Sequence, residues 1–349
     1  MPLQSSHNMY LRLFTTSGIV TTFVLVLIGV YSGWDAVLTA LMLIVIELTF
    51  SLDNAIVNAR VLTTMSPFWR RMFMTVGIII AVFGMRIVFP VLIVVFTSGL
   101  PWNDVVRLAF DQPEKYATVL QLAHPGIATF GGMFLLMLSL HFFFDSVREI
   151  RWLERFERGM QYVGREGAHV VVCAIVLAVI SVLPANHSAH ETLIAGLTGI
   201  ITYLAIHGLS EFILVPDEGA LDHRRKVAVA GVVSFLYLEV LDASFSFDGV
   251  IGAFAITKNV VLIAAGLGVG ALWVRSLTLF IVRKKALQTY RYLEHGAHYV
   301  IGVLALTLLV SLFYDIPQML AGIIGVVVIG ASVVSSVRDN KKDDVVHLV

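Results

Sequence analysis

Long apolar runs are the feature that most constrains how this chain can fold. Ten of them follow one another, and most reach the ~20 residues that a helix needs to cross the hydrocarbon core of a bilayer. Membrane barrels show short segments of alternating polarity instead of continuous apolar runs. The runs lie near residues 14–32, 35–59, 72–98, 125–145, 168–184, 192–214, 227–256, 259–282, 297–313 and 318–337. With 58% apolar and 14% charged residues among 349, the chain lacks the polar surface of a soluble domain. The sequence predicts an all-α polytopic membrane protein with about ten transmembrane helices in one transmembrane domain, residues 1–349.

The basic residues of the loops lie mainly on one side of the predicted bilayer. When successive loops are assigned to alternate sides, starting at the N-terminus, 19 of the 24 lysines and arginines share the side of both termini. The opposite loops hold only Arg107, Lys115 and Lys258. Because positive loops stay in the cytoplasm, both termini are predicted to be cytoplasmic. Basic and acidic residues are equal in number, so the charge does not indicate a nucleic-acid partner; the lipid bilayer is the partner that composition predicts.

A short acidic motif occurs twice, in the second and in the seventh predicted helix. The copies read Glu47-Leu-Thr-Phe-Ser-Leu-Asp-Asn-Ala-Ile56 and Asp242-Ala-Ser-Phe-Ser-Phe-Asp-Gly-Val-Ile251. An arginine inside a later apolar run follows each copy. Because the copies are five helices apart, they cross the bilayer in opposite directions and predict an inverted internal repeat. The predicted divisions are a first repeat at 12–150, a charged inside loop and connecting helix at 151–191, a second repeat at 192–339 and a cytoplasmic tail at 340–349.

The acids of both copies lie near the centres of their apolar runs. An aspartate at the centre of a transmembrane helix costs about 2.5–3.5 kcal/mol, so these side chains are expected to face the interior of the bundle. Carboxylate, hydroxyl and amide oxygens together favour hard divalent cations such as Mg²⁺, Ca²⁺ and Mn²⁺. The candidate ligands are Asp53, Asp248, Glu47, Asp242, Ser51, Ser246, Asn54, Thr49 and Ser244, and the candidate charge-compensating residues are Arg86 and Arg275.

Helical spacing places part of this set on one face of the second helix. Glu47, Ser51 and Asn54 recur at i, i+4 and i+7, whereas Asp53 lies beside this stripe. A local break in each acidic helix would bring the acids together, eased by Asn54 in the first copy and Gly249 in the second. Such a break also presents backbone carbonyl oxygens to an ion.

At these positions the sequence resembles the TerC family of integral membrane proteins. Its members carry an acid-x-x-x-Ser-x-Asp-Asn motif in an early helix, a second acidic copy in the other half, and intramembrane arginines downstream. In this chain the pattern is Glu47, Ser51, Asp53 and Asn54, then Asp242, Ser246 and Asp248, with Arg86 and Arg275. The resemblance implies a fold related to the lysine-exporter superfamily and manganese export across the bacterial inner membrane. Gly249 in place of an Asn, and the high number of helices, indicate a divergent branch.

Three other interpretations are open at this point. The acids could form a structural ion-pair network with the two arginines. The protein could also be a membrane sensor or assembly factor that binds metal without moving it. Asp53 and Asp248 could instead form the dyad of an intramembrane aspartyl protease, although Phe-Ser-Phe rather than Gly-x-Gly precedes Asp248.

The sequence therefore predicts a secondary transporter that works by alternating access, and not an enzyme. Asp53 and Asp248 are the expected central ligands, while Glu47 and Asp242 are either further ligands or proton carriers. No resident cofactor is expected, because the divalent cation is the cargo. Export, and Mn²⁺ rather than Ca²⁺ or Mg²⁺, are implied by the resemblance alone.

Three histidines, His141, His169 and His298, lie near the inner ends of predicted helices, and His207 lies within the sixth predicted helix. His169 and His298 each follow Gly-Ala and are expected to cap a helix or to reach the interface. His207 lies one turn before Glu211, a spacing that favours a hydrogen-bonded interior pair, with proton relay as the alternative. His141 is expected to serve in packing.

Overall fold

A computed structural model of the chain describes residues 3–165, 167–214, 223–314 and 316–346, and their side chains except at 3–13, 210–214, 223–228, 247–248, 318 and 341–346. The chain is 86% helical, and the described residues form no strand. The helices are α1 Leu3–Ser32, α2 Trp34–Phe50, α3 Leu52–Thr64, α4 Pro67–Ile79, α5 Phe89–Ser98, α6 Trp102–Asp111, α7 Pro113–Leu122, α8 His124–Phe144, α9 Glu154–Val163, α10 Ala168–Val182, α11 Ala189–Leu214, α12 His223–Ile256, α13 Val260–Arg283, α14 Ala286–Thr289, α15 Leu293–Val310 and α16 Gln318–Val346. A π-helical segment, Ile80–Val88, joins α4 to α5. The predicted all-α fold is confirmed.

The membrane-spanning helices follow the apolar runs of the sequence. Eight helices of the described residues are long and apolar enough to cross a membrane. They are Phe14–Ser32, Pro67–Ser98, His124–Phe144, Ala189–Leu209, Val229–Ile256, Val260–Arg283, Leu293–Val310 and Met319–Asn340. The number rises to ten if α2 with α3, and α9 with α10, each count as one bent span. The chain is therefore a multi-pass membrane protein.

The helices pack as two compact units. The first unit comprises Met1–His124 and Phe245–Lys284, and the second comprises Pro125–Ser244 and Lys285–Val349. The boundary between them falls inside α12, in the middle of the second acidic motif. These units do not follow the predicted repeat boundaries at 12–150 and 192–339, so the inverted repeat stays a prediction from the sequence.

Glycines of α13 let it approach α2 closely within the first unit. A Cβ atom at Gly266 would lie 2.6 Å from the Cβ of Leu43, and one at Gly270 would lie 2.5 Å from the Cβ of Glu47. Small residues at such positions allow membrane helices to pack backbone against backbone. This contact holds the Glu47 segment of α2 directly against the middle of α13.

The charged segment before α10 is held together by a buried carboxylate in the second unit. Glu157 is 2% exposed and accepts hydrogen bonds from the backbone amides of Trp152 and Leu153, both at 3.1 Å, and from the Tyr299 hydroxyl at 2.9 Å. Glu154, in the same helix, pairs with Arg158 at the surface. Glu157 is instead bound by backbone amides and by Tyr299, and His295 Nε2 lies 3.5 Å from its Oε2.

His298 also differs from its expected place at a helix end. It is buried in α15, its imidazole Nδ1 lies 2.8 Å from the Glu294 carbonyl oxygen, and its ring stacks on Phe142 with centroids 3.7 Å apart. The expectation that it caps a helix or reaches the interface is therefore wrong. Aromatic stacking in the core of the second unit gives the ring an apolar neighbour that the sequence pattern did not indicate.

We expect Glu157→Ala to lower the free energy of unfolding by about 3 kcal/mol, because hydrogen bonds to a charged acceptor contribute about 1.5–3 kcal/mol each and their donors would be left buried. The matched control is Glu154→Ala in the same helix, where the side chain is 55% exposed and its ion pairs contribute less than about 1 kcal/mol. Unfolding of both variants in detergent micelles measures the difference. Equal losses of unfolding free energy in the two variants would show that buried Glu157 stabilises the protein no more than a surface glutamate does.

Candidate functional site

The first acidic motif lies at a break between two helices. The path bends by 52° between α2 and α3, and Ser51 is the single residue between them. The bend is anchored by backbone hydrogen bonds from the Ser51 amide to the Glu47 carbonyl (3.1 Å) and from the Ala55 amide to the Ser51 carbonyl (3.0 Å). A local break eased by Asn54 was expected in this helix; the break lies three residues before Asn54, at Ser51.

Glu47 and Arg86 form a buried ion pair in the first unit. An Arg86 Nη2–H donates to Glu47 Oε1, and each side chain is 4% exposed. The Ser51 hydroxyl donates to the same carboxylate oxygen at 3.3 Å. The other terminal nitrogen of Arg86, Nη1, donates to the Ala81 carbonyl at 2.7 Å. The guanidinium is therefore fixed between a carboxylate and the backbone of its own π-helical segment, a helix type that is frequent at functional sites.

The surroundings of Asp53 differ from those of Glu47. It lies in the first turn of α3 and is 2% exposed. Its Oδ2 atom is buried and has no hydrogen-bond partner among the residues whose side chains are described. Asn54 and Asn58, which follow on α3, are also buried. A buried carboxylate oxygen without a partner is costly in an apolar interior, and a cation bound to this atom would offset that cost.

Arg275 occupies a second buried cationic position in the first unit. Its Nη2 donates to the Gly77 carbonyl at 3.2 Å, and its guanidinium carbon lies 3.6 Å from the centroid of the Phe73 ring. Stacking on an aromatic face stabilises a guanidinium in an apolar environment. Arg275 is therefore placed by α4 as well as by its own helix.

In the second acidic motif, the backbone at Gly249 lies next to the Glu47 carboxylate. A Cβ atom at Gly249 would lie 3.5 Å from Glu47 Oε2, so the backbone of α12 runs beside that carboxylate. Ser246 is buried one turn earlier. The break expected near Gly249 is absent, because α12 is one continuous helix from His223 to Ile256. The side chain of Asp248, an expected central ligand, lies outside the described residues.

Asp242, Ser244 and Thr49 complete the set of candidate ligands whose side chains are described. Asp242 and Ser244 are buried but belong to the second unit. Thr49 and Ser244, which occupy equivalent positions in the two copies, each donate their hydroxyl to the carbonyl one turn earlier in their own helix, at 2.7 Å and 2.9 Å. Within the described residues, no group of three or more His, Cys, Asp or Glu side chains has the geometry of a metal site. The assignment of Asp242, Thr49 and Ser244 as metal ligands stays a prediction.

A cavity of about 70 Å³ lies beside the ion pair in the first unit. Among the described residues that line it, Arg86 is the only charged one, and the others are apolar or aromatic, for example Trp102, Tyr116 and Phe254. Burial raises the pKa of Tyr116, which lies on α7 outside the spans, so its hydroxyl stays neutral. The sequence did not predict this cavity, since it depends on how α6 and α7 fold back against α5.

Comparison with known proteins identifies the family of the chain. Residues 52–343 match the family described as "Protein of unknown function (DUF475)", and the chain belongs to that family. No curated protein and no solved structure matches the chain. The resemblance to the TerC family therefore stays a prediction from the motif.

We expect Arg86→Gln to destabilise the protein by about 3–5 kcal/mol, because it leaves the Glu47 carboxylate buried without its cation. Adding Glu47→Gln to Arg86→Gln should recover part of this loss, since the double variant buries no charge at this pair. Chemical unfolding of the two single variants and the double variant in detergent gives the coupling energy. Additive losses would show that the two side chains do not stabilise each other.

Proposed function

We propose that this member of the DUF475 family is a secondary transporter that exports a divalent metal cation, with Mn²⁺ as the expected cargo, by alternating access. The observation that carries the proposal is the buried Asp53 oxygen at the break between α2 and α3, which has no hydrogen-bond partner within the described part of the chain. Broken helices inside a membrane are the places where secondary transporters bind ions. No chemical conversion of the cargo is involved.

The oxygen atoms around the break select the class of ion. Glu47 and Asp53 supply carboxylates, Ser51 a hydroxyl, and Asn54 and Asn58 amide oxygens, all from buried positions. An oxygen-only shell favours Mg²⁺, Ca²⁺ or Mn²⁺ over metals that prefer thiolates. The family resemblance favours Mn²⁺ among these three.

Charge balance suggests how the empty transporter is stabilised. Without cargo, Arg86 neutralises Glu47 and removes the cost of one buried charge. When a divalent cation arrives, Glu47 exchanges the guanidinium for the cation, and the carboxylates of Glu47 and Asp53 together match its two charges. The cavity beside Arg86 offers the displaced guanidinium space within the first unit.

The proposed location is the bacterial inner membrane, with both termini in the cytoplasm. The loop charges support this orientation, because they concentrate basic residues on the side of the termini. The location in a bacterial membrane follows from the family resemblance.

The proposal is tested by ion flux in vesicles containing the purified protein. Asp53→Asn replaces one carboxylate oxygen by an amide of the same size, and we expect it to reduce Mn²⁺ flux at least about tenfold, a change of about 1.4 kcal/mol in transition-state energy. Asp35→Asn is the matched control, because Asp35 is an exposed carboxylate in the first turn of α2. It should transport at the wild-type rate.

The two variants should have the same melting temperature as the wild-type protein to within a few degrees, so that the loss of flux reports on ion binding. Wild-type flux in Asp53→Asn would contradict the ligand assignment. Mn²⁺ binding without flux in the wild-type protein would instead favour a membrane sensor.

A further inference from the structure

Helix α9, Glu154–Val163, has an exposed apolar side. Its apolar side chains, together with the one just before the helix, recur at i, i+3, i+7 and i+10, the spacing of one helical face. The members of this apolar stripe are Leu153, Phe156, Met160 and Val163. Leu153, Phe156 and Val163 are 47%, 54% and 59% exposed. Since Arg155 and Arg158 are exposed on the other side of the helix, α9 is amphipathic.

The direction of α9 is that of a helix lying on a membrane surface. The chain bends by 91° between α9 and α10. Helix α10, Ala168–Val182, occupies the apolar run at 168–184, which is predicted to cross the bilayer. A helix at right angles to a span lies along the bilayer surface instead of crossing it. The basic residues of the preceding loop predict that this surface is the cytoplasmic one.

Contacts within the second unit show which side of α9 faces the hydrocarbon. Phe156, in the apolar stripe, contacts the Tyr299 ring with centroids 6.1 Å apart. Tyr299 lies about 9 Å along the membrane span α15, measured from the start of that helix. On the polar side, Gln161 Nε2 donates to the carbonyl oxygens of Asp145 and Arg148 at 3.0 Å and 2.9 Å. The apolar stripe therefore borders the span, and the polar side borders the loop that follows α8.

The buried side of α9 holds the helix in this orientation. Glu157, on that side, accepts hydrogen bonds from two backbone amides and from the Tyr299 hydroxyl. Arg151 Nε donates to Gln161 Oε1 at 2.6 Å. A surface that is formed in advance loses little conformational freedom when it binds. The apolar stripe and the arginines of α9 are thus presented together by the fold itself.

The charges of this segment favour an anionic surface. Residues 151–165 contain four arginines and two glutamates. Glu157 is buried, and Glu154 pairs with Arg158. Arg155 and Arg165 are exposed. A guanidinium binds phosphate oxygens with two parallel hydrogen bonds, and basic amphipathic helices bind membranes that contain anionic lipids.

We propose that α9 is an interfacial helix that binds anionic phospholipids of the cytoplasmic leaflet. The apolar stripe enters the boundary between headgroups and acyl chains, and Arg155 and Arg165 bind headgroup phosphates. A free phosphate ion would leave the apolar stripe uncovered, whereas a phospholipid covers the stripe and carries the phosphate. This surface lies in the second unit, and its binding of lipid does not depend on the proposed transport of cations.

Spin labels measure the depth of α9 in the bilayer. Each label is attached to one introduced cysteine in a Cys173→Ala background, because Cys173 is the only cysteine of the chain. The labelled variants are Phe156→Cys, on the apolar stripe, and its neighbour Arg155→Cys, on the polar side, in vesicles of phosphatidylcholine and phosphatidylglycerol. Oxygen concentrates in hydrocarbon and a nickel chelate stays in water, so we expect the ratio of oxygen to nickel collisions to be several-fold higher at 156 than at 155.

Equal ratios at the two positions would overturn the proposal, because α9 would then lie in water. A label at 156 that is shielded from both reagents would also overturn it, since a protein surface rather than lipid would cover the stripe. Wild-type melting temperatures confirm that both labelled variants are folded.

Native mass spectrometry of the detergent-purified protein measures the preference for the headgroup, with phosphatidylglycerol as the anionic probe and phosphatidylcholine as the neutral one. We expect Arg155→Gln/Arg165→Gln to weaken phosphatidylglycerol binding by about fivefold for each arginine removed. The matched control is Lys284→Gln/Lys285→Gln, which removes two exposed basic residues of another inner loop. The control should change the affinity less than about twofold.

Equal losses of affinity in the two double variants would show a general attraction to basic loops and overturn the assignment of the headgroup site to α9. Equal affinity of the wild-type protein for both lipids would overturn the preference for an anionic headgroup. Both double variants should keep the wild-type melting temperature, since all four side chains are exposed. Neither measurement involves ion flux, so failure of the proposed transport would leave both results interpretable.

Discussion

The buried ion pair between Glu47 and Arg86 constrains how the first unit can pack. Each charge alone would cost several kcal/mol in an apolar interior, so the two side chains must meet. Three local features satisfy this requirement: the glycines of α13 admit the Glu47 segment, Ser51 donates to the carboxylate, and the π-helical segment aims Arg86 at it. The need to pair Glu47 with Arg86 in lipid surroundings therefore accounts for both the π-helical segment and the close contact between α2 and α13.

The break between α2 and α3 determines the surroundings of Asp53. The break at Ser51 sets Asp53 at the beginning of a new helix, where the positive end of the helix dipole favours a carboxylate. Glu47, in contrast, is neutralised by a guanidinium. Of these two carboxylates, only that of Glu47 has a cationic partner among the side chains that the structure describes.

Features that depend on composition could be predicted from the sequence, and features that depend on tertiary contacts could not. The apolar runs predicted the spans, because a lipid environment requires continuous apolar segments. The cost of burying Glu47 and Asp53 predicted their interior position. The place of the helix break, the continuity of α12 through Gly249 and the burial of Glu157 depend on neighbouring helices that no local pattern encodes. The same holds for His141, whose ring contacts lie on α10 and α11.

The central claim is that Asp53 binds a divalent cation at the helix break. Anomalous diffraction at the manganese absorption edge, from crystals grown with Mn²⁺, tests it most directly. We expect one strong peak within coordination distance of an Asp53 carboxylate oxygen, together with a displaced Arg86 side chain. Crystals that show the Glu47–Arg86 pair intact at saturating Mn²⁺, with no peak at Asp53, would contradict the account.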